Sequence, residues 1–322
     1  MIETMKAKIL AGESLQREDA RILLDAPLEA LCAAADEIRF RFCGNKFDLC
    51  TIVNGKSGRC SEDCKYCAQS IHYQTDCAAS DALLPTEALV AQAVHDAEQG
   101  ALRYSIVTSG KRLSAREVGQ LCESIRAIRA RAGIQVCVSL GLLDEEQFIR
   151  LKAAGASRVH CNLETSEQYF PRICTTHTWQ EKVDTLKAAQ RAGLDICSGG
   201  IMGLGETMEH RIDMVLALRQ LGVKSVPVNL LNPIPGTPCG SNPILSYEEL
   251  RRVTAIFRFL IPDGFIRLAG GRGLLADKGE ACFRGGANAV ISGDMLTTAG
   301  YTVKTDLAML EKLGYEVELT NG

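Results

Sequence analysis

The sequence predicts an α/β protein, a TIM-type (β/α)8 barrel with an N-terminal helical cap. Two observations predict the barrel and a third sets its character. Eight short runs rich in β-branched residues recur along the chain, and helical segments separate most of them. Five consecutive runs also carry one apolar face and one polar face. Eight strand–helix units spread over about 250 residues match the size of such a barrel. A doubly wound open sheet is the alternative for the same alternation.

Residues 1–40 read as helices and form the cap, ahead of a barrel domain over 41–322. The strand runs are 47–53, 102–109, 134–141, 157–164, 194–201, 224–231, 265–271 and 287–293. Helical patterns lie between most of them at 86–99, 115–131, 144–154, 179–192, 207–220 and 247–260. No low-complexity linker and no internal repeat interrupts the series.

Alternate residues of a strand face opposite sides. Ile134, Val136, Val138 and Leu140 therefore oppose Gln135, Cys137 and Ser139, and Leu102, Tyr104 and Ile106 oppose Arg103, Ser105 and Val107. Val159, Cys161 and Leu163 oppose Arg158, His160, Asn162 and Glu164. Leu194 and Ile196 oppose Asp195, Cys197 and Gly199, while Val226, Val228 and Leu230 oppose Ser225, Pro227 and Asn229. The apolar faces must meet the outer helices, which points the polar faces into the lumen. Ordinary barrel lumens are packed with branched apolar side chains. Buried charged and amide groups need partners, so this lumen is expected to hold a cofactor and a substrate.

The net charge of −3 removes bulk attraction to nucleic acid or to an anionic membrane. The opening "MIETMKAKILAGESLQREDARILL" mixes acids and bases and does not read as a signal peptide. No run approaches the length of a membrane span. Fourteen cysteines are the outlying number. Disulfide frameworks suit short secreted chains with little core. In a chain of 322 residues with 46% hydrophobic content, the cysteines read as metal ligands or small buried apolar residues in a reducing cytoplasm.

The stretch "GRCSEDCKYCAQS" (58–70) places Cys60, Cys64 and Cys67 at C-x3-C-x2-C, with no fourth cysteine close by. Closed zinc sites and ferredoxin-type clusters use four ligands. Three thiolates around four irons leave one iron open for chemistry. The motif follows the first strand at once, at the C-terminal mouth where barrel enzymes keep their sites. The bland alternative is a Cys3His zinc site completed by His72.

"CSEDCKYCAQS" resembles the signature of radical S-adenosylmethionine enzymes. Its surroundings resemble the biotin synthase family: "NLETS" (162–166), "CSGGIMGLGET" (197–207), "SVPVNLLNPIPGTP" (225–238), "IRLAGGR" (266–272), "CFRGGANAVISG" (282–293) and "LTT" (296–298). These stretches run in order across residues 50–300. The resemblance implies a [4Fe–4S] cluster on Cys60, Cys64 and Cys67. The open iron would chelate S-adenosylmethionine, and one electron would break a C–S bond to give a 5′-deoxyadenosyl radical. It implies a sulfurtransferase that makes biotin from dethiobiotin, fed by a flavodoxin or ferredoxin-type electron donor and working as a cytoplasmic homodimer.

The resemblance also carries site roles. Tyr66 would pack on the adenine. Asn162 and Glu164 would bind the nucleoside, with Asn162 also ordering the substrate; a carboxylate can accept from both ribose hydroxyls. The family's usual residue at 164 is the shorter Asp. Lys182 stands where the family places an arginine toward the methionyl carboxylate, keeping the charge but not the planar fork. Gly199 and Gly200 would let backbone approach the cofactor. Asn229 would meet the ureido ring of dethiobiotin, and Thr297 and Thr298 its valeryl carboxylate.

A second cluster serves as sulfur source in this family, usually a [2Fe–2S] held by three cysteines and an arginine. Cys137, Cys197 and Arg267 match three of those positions, and parity alone turns both cysteines inward. The fourth position is Ser105, a far poorer iron ligand than a thiolate, which leaves three outcomes: a dead site, ligation by Ser105 as an alkoxide, or another cysteine in its place. Cys50, in phase with Ile52 on the neighbouring first strand, is the best replacement. A [4Fe–4S]-type auxiliary cluster on Cys50, Cys137 and Cys197 is therefore favoured over [2Fe–2S], its fourth iron taking Arg267 or an extra sulfide. The plainer role for Arg267 is a buried ion pair. Two other functions compete: a related maturase or mutase without sulfur insertion, and an iron–sulfur redox-sensing module. The first would cleave S-adenosylmethionine but leave dethiobiotin unchanged; the second would not cleave it.

Overall fold

The computed structural model describes residues 1–77, 82–294 and 300–319. Ten parallel strands are found among them: β1 (Lys46–Lys56), β2 (Arg103–Thr108), β3 (Gln135–Ser139), β4 (Ala156–His160), β5 (Asp195–Cys197), β6 (Gly200–Met202), β7 (Ser225–Leu230), β8 (Phe265–Leu268), β9 (Ala289–Ser292) and β10 (Glu316–Val317). Each strand from β1 to β4 pairs with the next, β5 and β6 both pair with β7, β7 pairs with β8 and β8 with β9, and β9 returns to β1. Because β5 and β6 share one place in the ring, the result is a closed eight-position barrel. Closure excludes the open doubly wound sheet. All eight strand runs read from the sequence correspond to positions in this ring.

The fifth position is interrupted at Ser198–Gly199, where the sequence reading gave one run. Cys197 faces Ser225 and Gly200 faces Val228, so the register carries across the break. The break reflects close approach on both sides. A Cβ on Gly199 would lie 1.9 Å from the Pro227 carbonyl oxygen, and one on Gly200 would lie 2.3 Å from that of Glu164.

The outer layer forms as the pattern predicts. Capping boxes at Ser114/Glu117, Asp144/Gln147, Thr178/Glu181 and Thr207/His210 start the helices Ala115–Arg131, Glu145–Ala154, Trp179–Arg191 and Met208–Gln220. Tyr104, Ile106, Val136, Val138, Val159, Val226 and Val228 are buried against this layer. The core of the molecule thus lies between strands and helices.

The cap consists of helices Ile2–Leu10, Arg17–Ile22 and Leu28–Cys43, the last running three residues beyond the expected limit. It is tied to the outer helices by Arg17 Nε to Asp213 Oδ1 (2.5 Å) and by two bonds from Arg251 to Glu29 (2.8 and 2.7 Å). Helix Val303–Lys312 and β10, which lies beside the start of β1 outside the ring, were not anticipated.

Candidate active site

A cavity of about 330 Å³ fills the lumen. It is lined by Arg103, Ser105, Val107, Cys137, Ser139, Arg158, His160, Asn162, Glu164, Cys197, Pro227 and Asn229, all from the polar faces assigned by parity. Cys50 and Ile52 of β1, Arg267 of β8 and the loop residues Tyr66 and Cys67 complete much of the wall.

At the base, the fully buried Asp48 carboxylate accepts from Arg103 Nε (3.0 Å), Arg158 Nη1 (3.2 Å) and Arg267 Nη2 (2.8 Å). Burial opposes its charge, but Arg267, Arg103 and Arg158 hold its pKa below the usual carboxylate value. Among the described residues, three arginines meet one aspartate at this base, so positive charge prevails there. Two nitrogens of Arg158, Nε and Nη2, are buried with no partner in the structure. This base calls for an anionic occupant.

Three thiols converge there. Cys50 pairs in register with Arg103, one inward-facing position deeper than Ser105, which pairs with Cys137. The Cys50 thiol donates to Thr51 O (3.3 Å), and the neighbouring Cys137 thiol is drawn down by Cys50 and then, against burial, by Arg158 and Arg103. Cys197 Sγ lies 3.2 Å from Ser225 Oγ and 3.4 Å from His160 Nδ1. Burial pushes His160 down to about 4, so the ring is neutral. Arg267 sits beside these thiols, but Nη2 binds Asp48 and Nη1 binds the carbonyls of Asp48 (3.1 Å) and Val290 (2.9 Å). Arg267 thus makes the buried ion pair that was its plainer reading.

The upper end is built by the loop after β1. Cys60 N donates to Gln69 O and Ile71 N to Cys60 O, closing the loop on itself. The half-buried thiols of Cys60, Cys64 and Cys67 are free. Gly110 N–H points at Cys60 Sγ (3.3 Å), a bond that favours a ligating thiolate. Burial pushes the Cys67 thiol up to about 11. His72 bonds the Ser61 carbonyl (3.0 Å) rather than joining the cysteines.

Between the two ends, Glu164 holds φ +69°, rare for a residue with a side chain. Its amide donates to Gly199 O and its carbonyl accepts from Ile201 N (both 3.0 Å), which pins this conformation. Its Oε2 is buried and partnerless. The Tyr66 hydroxyl faces the same carboxylate. Asn162 spends Oδ1 on Gly199 N (3.0 Å). Asn229 is a clamp, donating from Nδ2 to Gly200 O (3.1 Å) and accepting from Gly270 N at Oδ1 (2.9 Å).

Lys182 is buried and lies behind the wall, 5.9 Å from the Phe170 ring centroid. Burial opposes its charge, but Cys161, Glu164, Cys64 and Cys174 raise its pKa. Gly199 and Gly200 do not line the cavity; protein backbone takes the space they free. Thr297 and Thr298 lie outside the described residues. Cys161 packs in the apolar core and Cys43 against Arg258 (3.5 Å). Asp48 was missed, although it is in phase with Cys50 on the same strand. Cys174 and His177, brought beside Cys64 from more than a hundred residues away, left no signal in the sequence.

Comparison with known proteins places this geometry. Residues 56–218 match the Radical SAM superfamily, and residues 227–316 match the Biotin and Thiamin Synthesis associated domain. Methylornithine synthase (PylB) superposes with a TM-score of 0.82 at 18% identity, over 98% of this chain and 97% of that one. The FeFe-hydrogenase maturase HydG from Carboxydothermus hydrogenoformans gives 0.82 at 17%, over 100% and 80%. Fold and cysteine loop together define a radical S-adenosylmethionine protein. The chain is 55% identical over 319 residues to a biotin synthase of Akkermansia muciniphila, covering 99% of each. It is 52% identical over 318 residues to one of Brachyspira hyodysenteriae, covering 99% of this chain and 95% of the relative. The chain belongs to the biotin synthase family.

Membership in a radical S-adenosylmethionine family implies a [4Fe–4S] cluster and S-adenosylmethionine. The residues present fit both: three free thiols share one closed loop, and a partnerless carboxylate oxygen faces the cavity below it. No helix among the described residues is long and apolar enough to cross a membrane.

Proposed function

We propose that the chain converts dethiobiotin to biotin by radical S-adenosylmethionine sulfur insertion. One observation carries the reading: a single cavity has Tyr66 and Cys67 at one end and Cys50, Cys137 and Cys197 at the other. Bound at the upper end by Cys60, Cys64 and Cys67, the reduced cluster and S-adenosylmethionine supply hydrogen abstraction from carbon. Glu164 offers its free oxygen to ribose hydroxyls, Asn162 keeps Nδ2 for the nucleoside and substrate, and Tyr66 covers the adenine. Lys182, one layer back, supplies positive charge toward the methionyl carboxylate. Asn229 turns its second amide hydrogen and second oxygen lone pair to the ureido ring, and Thr297 and Thr298 receive the valeryl carboxylate. Gly199 and Gly200 serve by letting the wall strands close. The closed wall excludes water, which protects the reaction from side products.

Cys50, Cys137 and Cys197 hold the sulfur-donating cluster, of [4Fe–4S] type. The three thiolates make the loaded cluster anionic, which suits the arginine-rich base. The Arg267 guanidinium is engaged with Asp48 and Val290, which favours an extra sulfide on the fourth iron. A flavodoxin or ferredoxin-type donor supplies electrons, and two copies form a cytoplasmic homodimer with residues 1–40 as a cap on the 41–322 barrel. Iron and sulfide analysis with Mössbauer spectroscopy on anaerobic protein is expected to give about eight irons per chain, as two four-iron clusters require. Cys50→Ala should remove one of two [4Fe–4S] signals. About six irons with a [2Fe–2S] component that ignores Cys50→Ala would overturn the assignment.

The substrate contact has its own test. Asn229→Ala should weaken dethiobiotin binding by about 1–3 kcal/mol, the cost of unpairing a buried polar group. Iron content should not change. Unaltered affinity by equilibrium dialysis removes Asn229 from the site.

A further inference from the structure

His160 lines the lumen but has no part in the function proposed above. It pairs in register with Cys197 on the neighbouring strand, and both side chains face the cavity. Nδ1 lies 3.4 Å from Cys197 Sγ. On the same strand, Arg158 two residues deeper is committed to Asp48 (3.2 Å), and Asn162 two residues higher to Gly199 N (3.0 Å). Successive inward positions of a strand are about 6–7 Å apart. The imidazole therefore has a level of its own, between the arginine base and the Asn162 level.

A thiolate that ligates iron has lost its proton and can only accept a hydrogen bond. A ring nitrogen facing it is stable as N–H, since a lone pair there would meet the negative sulfur. Nδ1–H is therefore the donor whenever Cys197 is a ligand, whether the ring is neutral or charged. Ser225 Oγ, 3.2 Å from the same sulfur, can turn its hydroxyl hydrogen there as a second donor. Cys50 is placed differently, against the Thr51 carbonyl oxygen, which has no hydrogen to give. The deep thiols are thus unequal, and the one beside His160 is the one with donors on two sides.

We infer that His160 is a positioning residue for sulfur transfer: its Nδ1–H holds the Cys197 thiolate and raises the reduction potential of the sulfur-donating cluster. The inference rests on the deep-cluster reading above. The residues present fit such a group: Cys50, Cys137 and Cys197 are free and buried, and two Arg158 nitrogens beside them have no partner. Hydrogen bonds to ligand sulfur help set a cluster's potential, because they stabilise the added negative charge. A new C–S bond takes one electron from the carbon radical and one from sulfide, and the second electron of the sulfide lone pair reduces ferric iron to ferrous. A donor that favours the reduced state therefore favours sulfur release.

The test uses the full-length chain carrying Cys60→Ala, Cys64→Ala and Cys67→Ala, reconstituted anaerobically so that the deep thiols alone hold iron. About four irons per chain are expected, and the potential is read by an EPR-monitored redox titration. In this background His160→Leu should shift the potential downward. His160→Asn, whose amide N–H stands near the place of Nδ1, should bring it back toward the parent value, and His160→Gln, which reaches the place of Nε2, should not. Iron content should stay about four in all three, which separates lost tuning from lost structure. With the loop cysteines restored, His160→Leu should form less biotin per S-adenosylmethionine cleaved. A second measurement needs no variant of His160: 15N-histidine labelling should add a weak nitrogen coupling to the reduced-cluster spectrum. No coupling, or one as strong as a direct iron–nitrogen bond gives, overturns the donor role. If the triple-alanine chain binds no iron, the deep-cluster reading fails and the inference with it. If it binds four irons and His160→Leu leaves the potential unmoved, the inference alone fails.

Discussion

Replacing Cys60, Cys64 or Cys67 with alanine is expected to abolish reductive cleavage of S-adenosylmethionine, whereas Cys137→Ala and Cys197→Ala should keep cleavage and lose biotin. The two sets lie at opposite ends of the cavity and share no ligand. An open-iron cluster on three thiolates has no spare, so losing one removes the site. The deep thiols lie among Asp48, Arg103, Arg158 and Arg267, remote in function from the electron-accepting end. The measurement is 5′-deoxyadenosine release with a chemical reductant, alongside biotin formation in the same sample. Biotin formation at the wild-type rate in Cys137→Ala would refute the two-site reading.

The largest effect on stability is expected at Asp48. Asp48→Asn keeps the shape but removes the carboxylate that Arg103, Arg158 and Arg267 share. Breaking a buried charge network from one side costs about 3–5 kcal/mol, a drop on the order of 10 °C in Tm. The loss should be smaller in iron-loaded protein, where an anionic cluster offsets the arginines. The same group gives an acid dependence. Its folded pKa is depressed, so its contribution is complete above the unfolded value of about 3.9 and is lost as pH falls through the folded value. Equal melting temperatures for wild type and variant without iron would show that the arginines do not depend on Asp48.

The ring of strands and its unusual lumen were legible because alternation is a local property. Each polar residue on runs two to six declared its side without knowledge of the neighbouring strand. Asp48 was available by the same rule, two positions before Cys50, but the phase on that strand was followed only toward the mouth. The broken fifth position was hidden because Ser198–Gly199 interrupts pairing without shifting register. Strand β10 pairs at only two positions, too few to form a pattern. The group around Cys174 depends on how a loop following β4 folds back on the cysteine loop, through Lys65 N to Ile173 O and Asp63 to Thr175 and Thr176. No periodicity reports a contact of that kind. Arg267 shows the opposite limit: its place was foreseen, but only coordinates reveal that Nη1 and Nη2 are engaged.

The buried knot of Asp48 with three arginines stops the barrel at its lower end, while the cysteine loop stands over the other. Among the described residues the lumen is thus a vessel stopped at one end. Such a vessel fills from the bottom. On the proposed assignment, iron and sulfide for Cys50, Cys137 and Cys197 would pass the level of Tyr66 and Glu164 before nucleoside and substrate occupy it. Any replenishment of spent sulfur must likewise wait until both have left. On that assignment turnover and repair would be successive events in one corridor, ordered by the architecture itself.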